Sequence, residues 1–282
     1  MDEPQTALTC PVCFGPLTVG PSAVNCSKSH TYDRAREGYL NLLLANQKGS
    51  NDPGDDRDSV AARREFLAAG HYDFLPETID RIVARHEDSP GVIADAGCGE
   101  GYYLARQARK FPDAACYGFD ISRSAMRLAS RSYGDCTWAV ANIARRLPLT
   151  DKSCDLLLSI MAPRNATEFE RVLKLSGQIV VVVPGDYHLG QLTDLLMTKP
   201  SDQSAKPDIV TRSLSPAFNL ESSQNIKIDF SADQATIQKL VTMTPLRWKS
   251  RRNSLENLLQ IDRLNITASF KILQYALAAN LP

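Results

Sequence analysis

The sequence predicts an α/β chain: a doubly wound sheet preceded by a small metal-stapled domain. Three observations predict it. From about residue 76 onward, strand-like and helix-like segments alternate. The first of those strands runs into a turn with three glycines, VIADAGCGEG over 92–101. Cys10, Cys13, Cys26 and His30 stand close together near the start, in the spacing C-x2-C-x12-C-x3-H.

The metal reading rests on chemistry. Zinc takes four tetrahedral S/N ligands, and a two-residue gap lets one tight turn present two thiolates to one ion. Gly15, Pro16 and Gly20 supply turns around the cluster. With all four positions filled by protein, the ion is structural rather than catalytic. The segment has few apolar residues, so metal binding is expected to supply its folding energy. The bland alternative is a set of free, buried cysteines. Cys98, Cys116, Cys136 and Cys154 are scattered and read as packing residues.

The elements follow in order. Tyr39 to Leu44 is a short apolar stretch, and NDPGDDRD over 51–58 is turn-rich and acidic. A helix from Ser59 to Leu67 ends near Gly70. Strands are expected at Val92 to Ala96, Ala115 to Asp120, Cys136 to Val140 and Cys154 to Met161. The run from Gln178 to Val183 is fully apolar, as in a strand covered on both faces. Helices are expected at Tyr102 to Lys110, Arg123 to Ser132, Thr167 to Leu173 and Tyr187 to Met197. Thr198 to Pro207 reads as a loop. Ile226 to Phe230 and Asn265 to Leu273 close the pattern, with a helix from Ala232 to Val241 between them. This divides the chain into a metal-binding domain at 1–35, a linker at 36–75 and an α/β domain at 76–282.

Composition excludes several classes. The chain has 282 residues, with 32 Lys+Arg against 32 Asp+Glu. A polycation that coats nucleic acid is excluded. So is a disordered acidic protein, because 43% hydrophobic and 23% charged is a globular balance. No apolar run approaches the ~20 residues of a membrane span. The N-terminus lacks a basic and then apolar leader, so a cytoplasmic protein with reduced thiols is expected. Seven cysteines, an odd number, also argue against a full disulfide framework. Residues 1–75 carry a net charge of −3 and residues 76–282 one of +3.

The glycine turn decides between cofactors. A dinucleotide fingerprint needs G-x-G-x-x-G, and here the third glycine comes one place early. There is no Walker lysine. Asp95, Gly97, Gly99 and Gly101 form D-x-G-x-G-x-G, which resembles the first motif of class I S-adenosylmethionine (SAM) methyltransferases. Carboxylates there suit a cofactor with a cationic amino-acid end and no pyrophosphate. Asp120 ends the next strand, where an acid can bridge ribose hydroxyls, or cap a helix unless Ser122 does so. Asn142, after the third strand, sits where a polar residue meets the adenine amino group, or is a plain loop residue.

Together these pieces resemble the zinc-containing 23S rRNA (guanine-N1)-methyltransferases. The resemblance covers nearly the whole chain. It includes C-P-V-C…C-x3-H, REGYLNLL at 36–43, DPGD at 52–55 and ARREFLAAGHY at 62–72. It continues through DAGCGEGYY at 95–103, APRN at 162–165, PGDYHL at 184–189 and MTPLRW at 243–248. It implies a class I methyltransferase fold with a zinc-ribbon-like N-terminal domain. It implies SAM contacts at Tyr72, Gly99, Glu100 and His188; of these, Tyr72 alone reads as packing and His188 alone as a surface or satisfied histidine. It implies methyl transfer to N1 of a guanine in a 23S rRNA hairpin loop near the antibiotic-binding exit tunnel, and a homodimer. APRN looks like the branch tied to macrolide resistance, while CGEGYY keeps the form of the other branch, so the nucleotide stays open.

Guanine N1 lies on the Watson–Crick edge, so the target must be unpaired or flipped. Pro163 and Arg164, after the fourth strand, stand where class I enzymes line the acceptor pocket. Arg247, Trp248 and Arg251, with Lys239, Lys249 and Arg252, form a basic cluster without an intervening acid, suited to phosphate contact and stacking. Arg123, Arg127 and Arg131 recur every four residues, as RNA contacts or as a solvated helix face. His71, Asp52 and Asp55 are candidates for a general base, and none is assigned. Two rivals remain: a small-molecule methyltransferase, and a non-enzymatic zinc-ribbon interaction protein with a degenerate SAM fold.

Overall fold

In the computed structural model, the residues described are 6–20, 22–50, 52–84, 89–197, 206–250, 252–258 and 260–278. The N-terminal part is a three-stranded antiparallel sheet: β1 (Leu17–Val19), β2 (Ala23–Cys26) and β3 (Thr31–Asp33). A two-residue strand, β4 (Leu40–Asn41), then joins the main sheet parallel to β7 (Thr137–Val140). Two helices follow, α1 (Arg57–Ala68) and α2 (Phe74–Val83). Asp56 starts α1 by accepting a hydrogen bond from Ser59 N at 2.8 Å.

The α/β part begins with β5 (Val92–Ala96), α3 (Tyr102–Lys110), β6 (Ala115–Asp120) and α4 (Arg123–Ser132), all with the bounds expected from the sequence. After β7 come β8 (Cys154–Ile160), α5 (Ala166–Val172), β9 (Leu173–Pro184) and α6 (Gly190–Leu196). The chain continues through α7 (Lys206–Leu214), β10 (Phe218–Asp233), α8 (Gln234–Thr242), α9 (Leu246–Lys249), α10 (Arg252–Leu258) and β11 (Arg263–Leu277).

The eight strands lie in the order β10-β11-β9-β8-β5-β6-β7-β4. Strands β9 to β7 of that order are parallel, and β11 and β10 are antiparallel additions. The chain leaves β5 toward β6 and β7, then returns to β8 on the other side of β5. That reversal opens a crevice at the carboxyl ends of β5 and β8. Helices bury both faces. Within β9, Val180 and Val182 join the core that holds Phe66, Leu104 and Phe270. Val181 and Val183 join the opposite core with Phe119 and Tyr275. No helix among the described residues is long and apolar enough to cross a membrane.

Several elements differ from the sequence expectation, each for a physical reason. The helix expected from Tyr187 starts only at Gly190, because Tyr187 and Leu189 adopt left-handed φ of 55° and 54°. β10 runs far beyond Ile226 to Phe230, as an edge strand whose early residues are exposed and so carry no apolar alternation. α7 begins inside the stretch read as a loop, of which 198–205 lie outside the described residues. Two of the three arginines of the stripe are paired. Arg127 and Arg131 both reach Glu37, at 3.5 and 3.0 Å, and tie the linker to α4.

Trp138 of β7 fills the space beside two glycines. A Cβ on Gly118 or on Gly101 would enter the indole ring. The Trp138 Nε1 donates to Tyr133 O at 2.8 Å, which holds the ring in place. Gly118→Ala is therefore expected to destabilise the protein by about 1–3 kcal/mol through overpacking. Urea unfolding checks this; an unchanged midpoint would mean that the ring can move aside.

Candidate active site and metal centre

The crevice at the switch point is a cleft of about 930 Å³. Its floor is the turn after β5. Gly97 and Gly99 there have φ of 86° and 56°, a region that favours glycine. Gly97 N and Cys98 N both donate to Phe119 O, at 2.8 and 3.0 Å, which clips the turn to β6. A Cβ on Gly97 would collide with Ala162 beyond β8.

The turn carries an unusual charge load. Asp95 is 1% exposed, and neither carboxylate oxygen has a hydrogen-bond partner among the described residues. Burial, then the charges of Asp120 and Glu100, push its carboxyl well above the usual range. Burial also raises Glu100, against the opposing pull of Arg63. Asp120 is raised by burial although it accepts from Gly99 N at 2.9 Å and from Ser122 N at 2.8 Å. Ser122 is the cap of α4, accepting from Ala125 N at 3.1 Å, so Asp120 is released from that duty.

The far wall is aromatic. The Tyr72 hydroxyl is buried without a partner among the described residues. His188 is buried, and its Nδ1 accepts from Ser269 N at 3.2 Å, so the neutral ring carries its proton on Nε2. Phe270 packs against both rings, at centroid distances of 5.0 and 4.6 Å. Asn142 lines the cleft, but both polar atoms of its side chain meet backbone. Its Nδ2 donates to Gln47 O at 3.0 Å and its Oδ1 accepts from Ala144 N at 3.1 Å. Pro163 and Arg164 line the cleft after β8, with Arg164 Nη1 donating to Ala162 O at 2.9 Å.

Trp248 stands at the rim, 70% exposed. Arg247 does not line the cleft. Its guanidinium lies 4.6 Å from the Trp248 ring and pairs with Asp56 at 3.1 Å and Asp58 at 3.8 Å. Lys239 likewise meets Glu65 at 3.1 Å. The C-terminal basic cluster has no acid in its own sequence, yet α1 and the residues before it bring acids against it. Gly101, with φ of 88°, starts α3 and packs on Trp138. Arg251 lies outside the described residues. Of the base candidates, Asp55 lines the cleft, while His71 is stacked between Phe66 and Phe230 at 4.9 and 5.2 Å.

Sequence reasoning named Asp55 as a candidate base but missed the rest of its wall. Gly54, Asp55, Ser59 and Arg63 of the linker and α1 line the cleft. Gly54, φ 89°, packs against Ile121 and Ser122, and Ser122 Oγ donates to Asp55 O at 2.7 Å. The DPGD and ARREFL segments were the available signal, though nothing in them assigns a ligand role. Buried acids beside a glycine cradle, with Asp95 unpartnered among the described residues, repel a polyphosphate and fit a cofactor with a sulfonium and an ammonium group. SAM has that chemistry.

In the metal centre, the ligand atoms of Cys10, Cys13, Cys26 and His30 all lie within 4.8 Å of one another. Cys13 Sγ is 3.5 Å from Cys26 Sγ, and Cys26 Sγ is 3.3 Å from His30 Nδ1. Three sulfurs and a nitrogen suit zinc. The Tyr32 hydroxyl lies 3.0 Å from Cys10 Sγ, and Val12 N and Cys13 N each donate to it at 3.4 Å. Burial alone would raise the Cys10 thiol, but these bonds bring it down to about 6. The ribbon is not a separate bead. Leu8, Leu17 and Val24 are buried in the same core as Leu147 and Leu149, and Thr9 N donates to Pro148 O at 3.0 Å.

Two outcomes follow from this geometry. Cys26→Ser is expected to drop the metal content from about one zinc per chain toward zero. Elemental analysis checks this, and an unchanged ratio would place the ion elsewhere. For Asp95, the raised carboxyl means that the folded chain binds more protons than the unfolded one above the ordinary carboxylate range. Stability falls there as pH rises. Relative to wild type, ligand-free Asp95→Asn should therefore gain stability as pH rises through that interval, while binding SAM more weakly. Urea unfolding at several pH values reads the first effect; a gap that does not change with pH would contradict it.

Comparisons with known proteins agree with the site. A zinc-ribbon family model described as RlmA, N-terminal, matches residues 8–51, and one described as Methyltransferase domain matches residues 93–179. The 23S rRNA (guanine(748)-N(1))-methyltransferase of Streptomyces fradiae is 33% identical over 244 residues, covering 86% of this chain and 85% of that protein. A Micromonospora griseorubida protein, provisionally named a 23S rRNA (guanine-N1)-methyltransferase, is 34% identical over 86% of each chain. Bacillus subtilis YxjB, provisionally named for the same activity, is 30% identical over 94% of this chain and 95% of its own. Among solved structures, a chain of the complex between the Haloferax volcanii Trm112 methyltransferase activator and a methyltransferase superposes with a TM-score of 0.51. It is 19% identical, covering 81% of this chain and all of that one, which supports the fold alone. With a class I cleft, a four-ligand ribbon and relatives that span its length, this chain belongs to the family of zinc-containing, SAM-dependent 23S rRNA (guanine-N1)-methyltransferases.

Proposed function

We propose that this chain methylates N1 of a guanine in a hairpin loop of 23S rRNA, in the cytoplasm. The observation that carries the reading is the cleft: buried Asp95, without a hydrogen-bond partner among the described residues, beside the glycine turn, with an exposed indole, Trp248, at the mouth. When bound, SAM supplies an electrophilic methyl group on a sulfonium. Asp95, Gly97, Gly99 and Glu100 would take its amino-acid end, Asp120 its ribose, and Tyr72, Asn142 and His188 the remaining wall. Gly101 acts through the turn it closes.

The substrate side is built for an unpaired base. Pro163 and Arg164 bound the inner cleft, and Trp248 offers a stacking face at the rim. Arg247 packs on that indole while its own charge is shared with Asp56. Arg251 follows three residues after Trp248 and is assigned to the phosphates on sequence grounds. No side chain is given the role of base. Orientation of N1 toward the methyl group is the main contribution expected of the protein. The division into 1–35, 36–75 and 76–282 and a homodimer belong to the same reading, the dimer on family likeness only.

Reverse transcription across 23S rRNA, with and without the protein, tests this. N1-methylguanine blocks pairing, so the copy should stop beside one hairpin guanine only where the protein is present. The stop identifies the nucleotide, and macrolide susceptibility of the two strains can be compared alongside. Identical patterns in both strains would overturn the proposal.

A further inference from the structure

The acids of the glycine turn raise a problem that the residues named so far leave unsolved. SAM ends in an ammonium group and a carboxylate on the same carbon. Carboxylates that attract the first repel the second. A cation at the turn would offset that repulsion.

Arg63 of α1 stands there. Its Nη2 pairs with Asp55 Oδ2 at 2.7 Å and donates to Met243 O at 3.2 Å. These two bonds fix the guanidinium from the linker side and from the α8–α9 connection. Its Nη1 hangs over the turn, 3.2 Å from where a Cβ on Gly99 would be. Neither Nη1 nor Nε has an acceptor among the described residues. The charges that act on Arg63 are those of Asp55, Glu100 and Asp120, which places it inside the acid cluster. Arg164 also lines the cleft, but it turns its Nη1 to Ala162 O at 2.9 Å, and burial lowers its pKa.

We propose that Arg63 binds the α-carboxylate of SAM through its Nη1 edge, while Asp55 and Met243 O hold its Nη2. This rests on the chain being SAM-dependent. It gives the linker a direct part in cofactor recognition, and it gives Gly99 a second reason to lack a side chain.

Calorimetry with two ligands tests it. S-adenosylhomocysteine keeps the carboxylate; 5′-methylthioadenosine lacks the amino-acid end. Arg63→Gln is expected to weaken S-adenosylhomocysteine by about tenfold or more, and 5′-methylthioadenosine by less than about twofold. Arg63→Lys keeps the charge but loses the fork, so its selective loss should be smaller. Equal weakening of both ligands, or none, would overturn the proposal and leave Arg63 a structural brace. If Arg63→Gln does not fold by circular dichroism, the same ratio measured on Arg63→Lys decides. Wild-type protein that binds neither ligand would instead remove the SAM reading itself.

Discussion

The site depends on one constraint: a carboxyl group held in the interior without a hydrogen-bond partner among the described residues. Asp95 stands near the end of a central strand with both faces covered, almost fully buried at the floor of the cleft. Such a group costs free energy unless a cation arrives. The fold tolerates it because the surrounding structure is fixed by other means. Phe119 O clips the turn, Trp138 fills the space beside Gly101 and Gly118, and two antiparallel strands brace the sheet beyond β9. Buried acids are concentrated where a cationic cofactor can pair with them.

Legibility followed period and punctuation. β5, α3, β6 and α4 could be placed to the residue, because apolar runs and turn residues alternate there without interruption. The glycine turn and the Cys/His spacing were legible because those chemistries tolerate few residue types. β10 was not. Its stretch from Leu220 to Asn225 faces solvent at the sheet edge, so no alternation marks it as a strand. α6 began late because left-handed backbone at Tyr187 and Leu189 leaves no trace in hydropathy.

The charge pattern was the least legible part of the site. Arg247 and Lys239 stand in an acid-free segment of sequence, yet Asp56, Asp58 and Glu65 meet them in space. Arg127 and Arg131 find Glu37 from nearly a hundred residues away. Pairings of this kind depend on the packing of α1 against α8 and of the linker against α4, which no local window contains. Asn142 has a related lesson: its amide meets Gln47 O, a backbone group invisible to any motif.

The ribbon and the sheet share one apolar core, with Leu8 and Leu17 packed beside Leu147 and Leu149, and β4 pairs directly with β7. Anything that binds only the folded ribbon therefore stabilises the sheet by mass action. The chemical potential of zinc becomes a variable of the catalytic domain, although no ligand of the ion approaches the cleft. A cell that runs short of the metal would weaken the sheet edge next to Asp120 and Asn142 before any cofactor atom was touched.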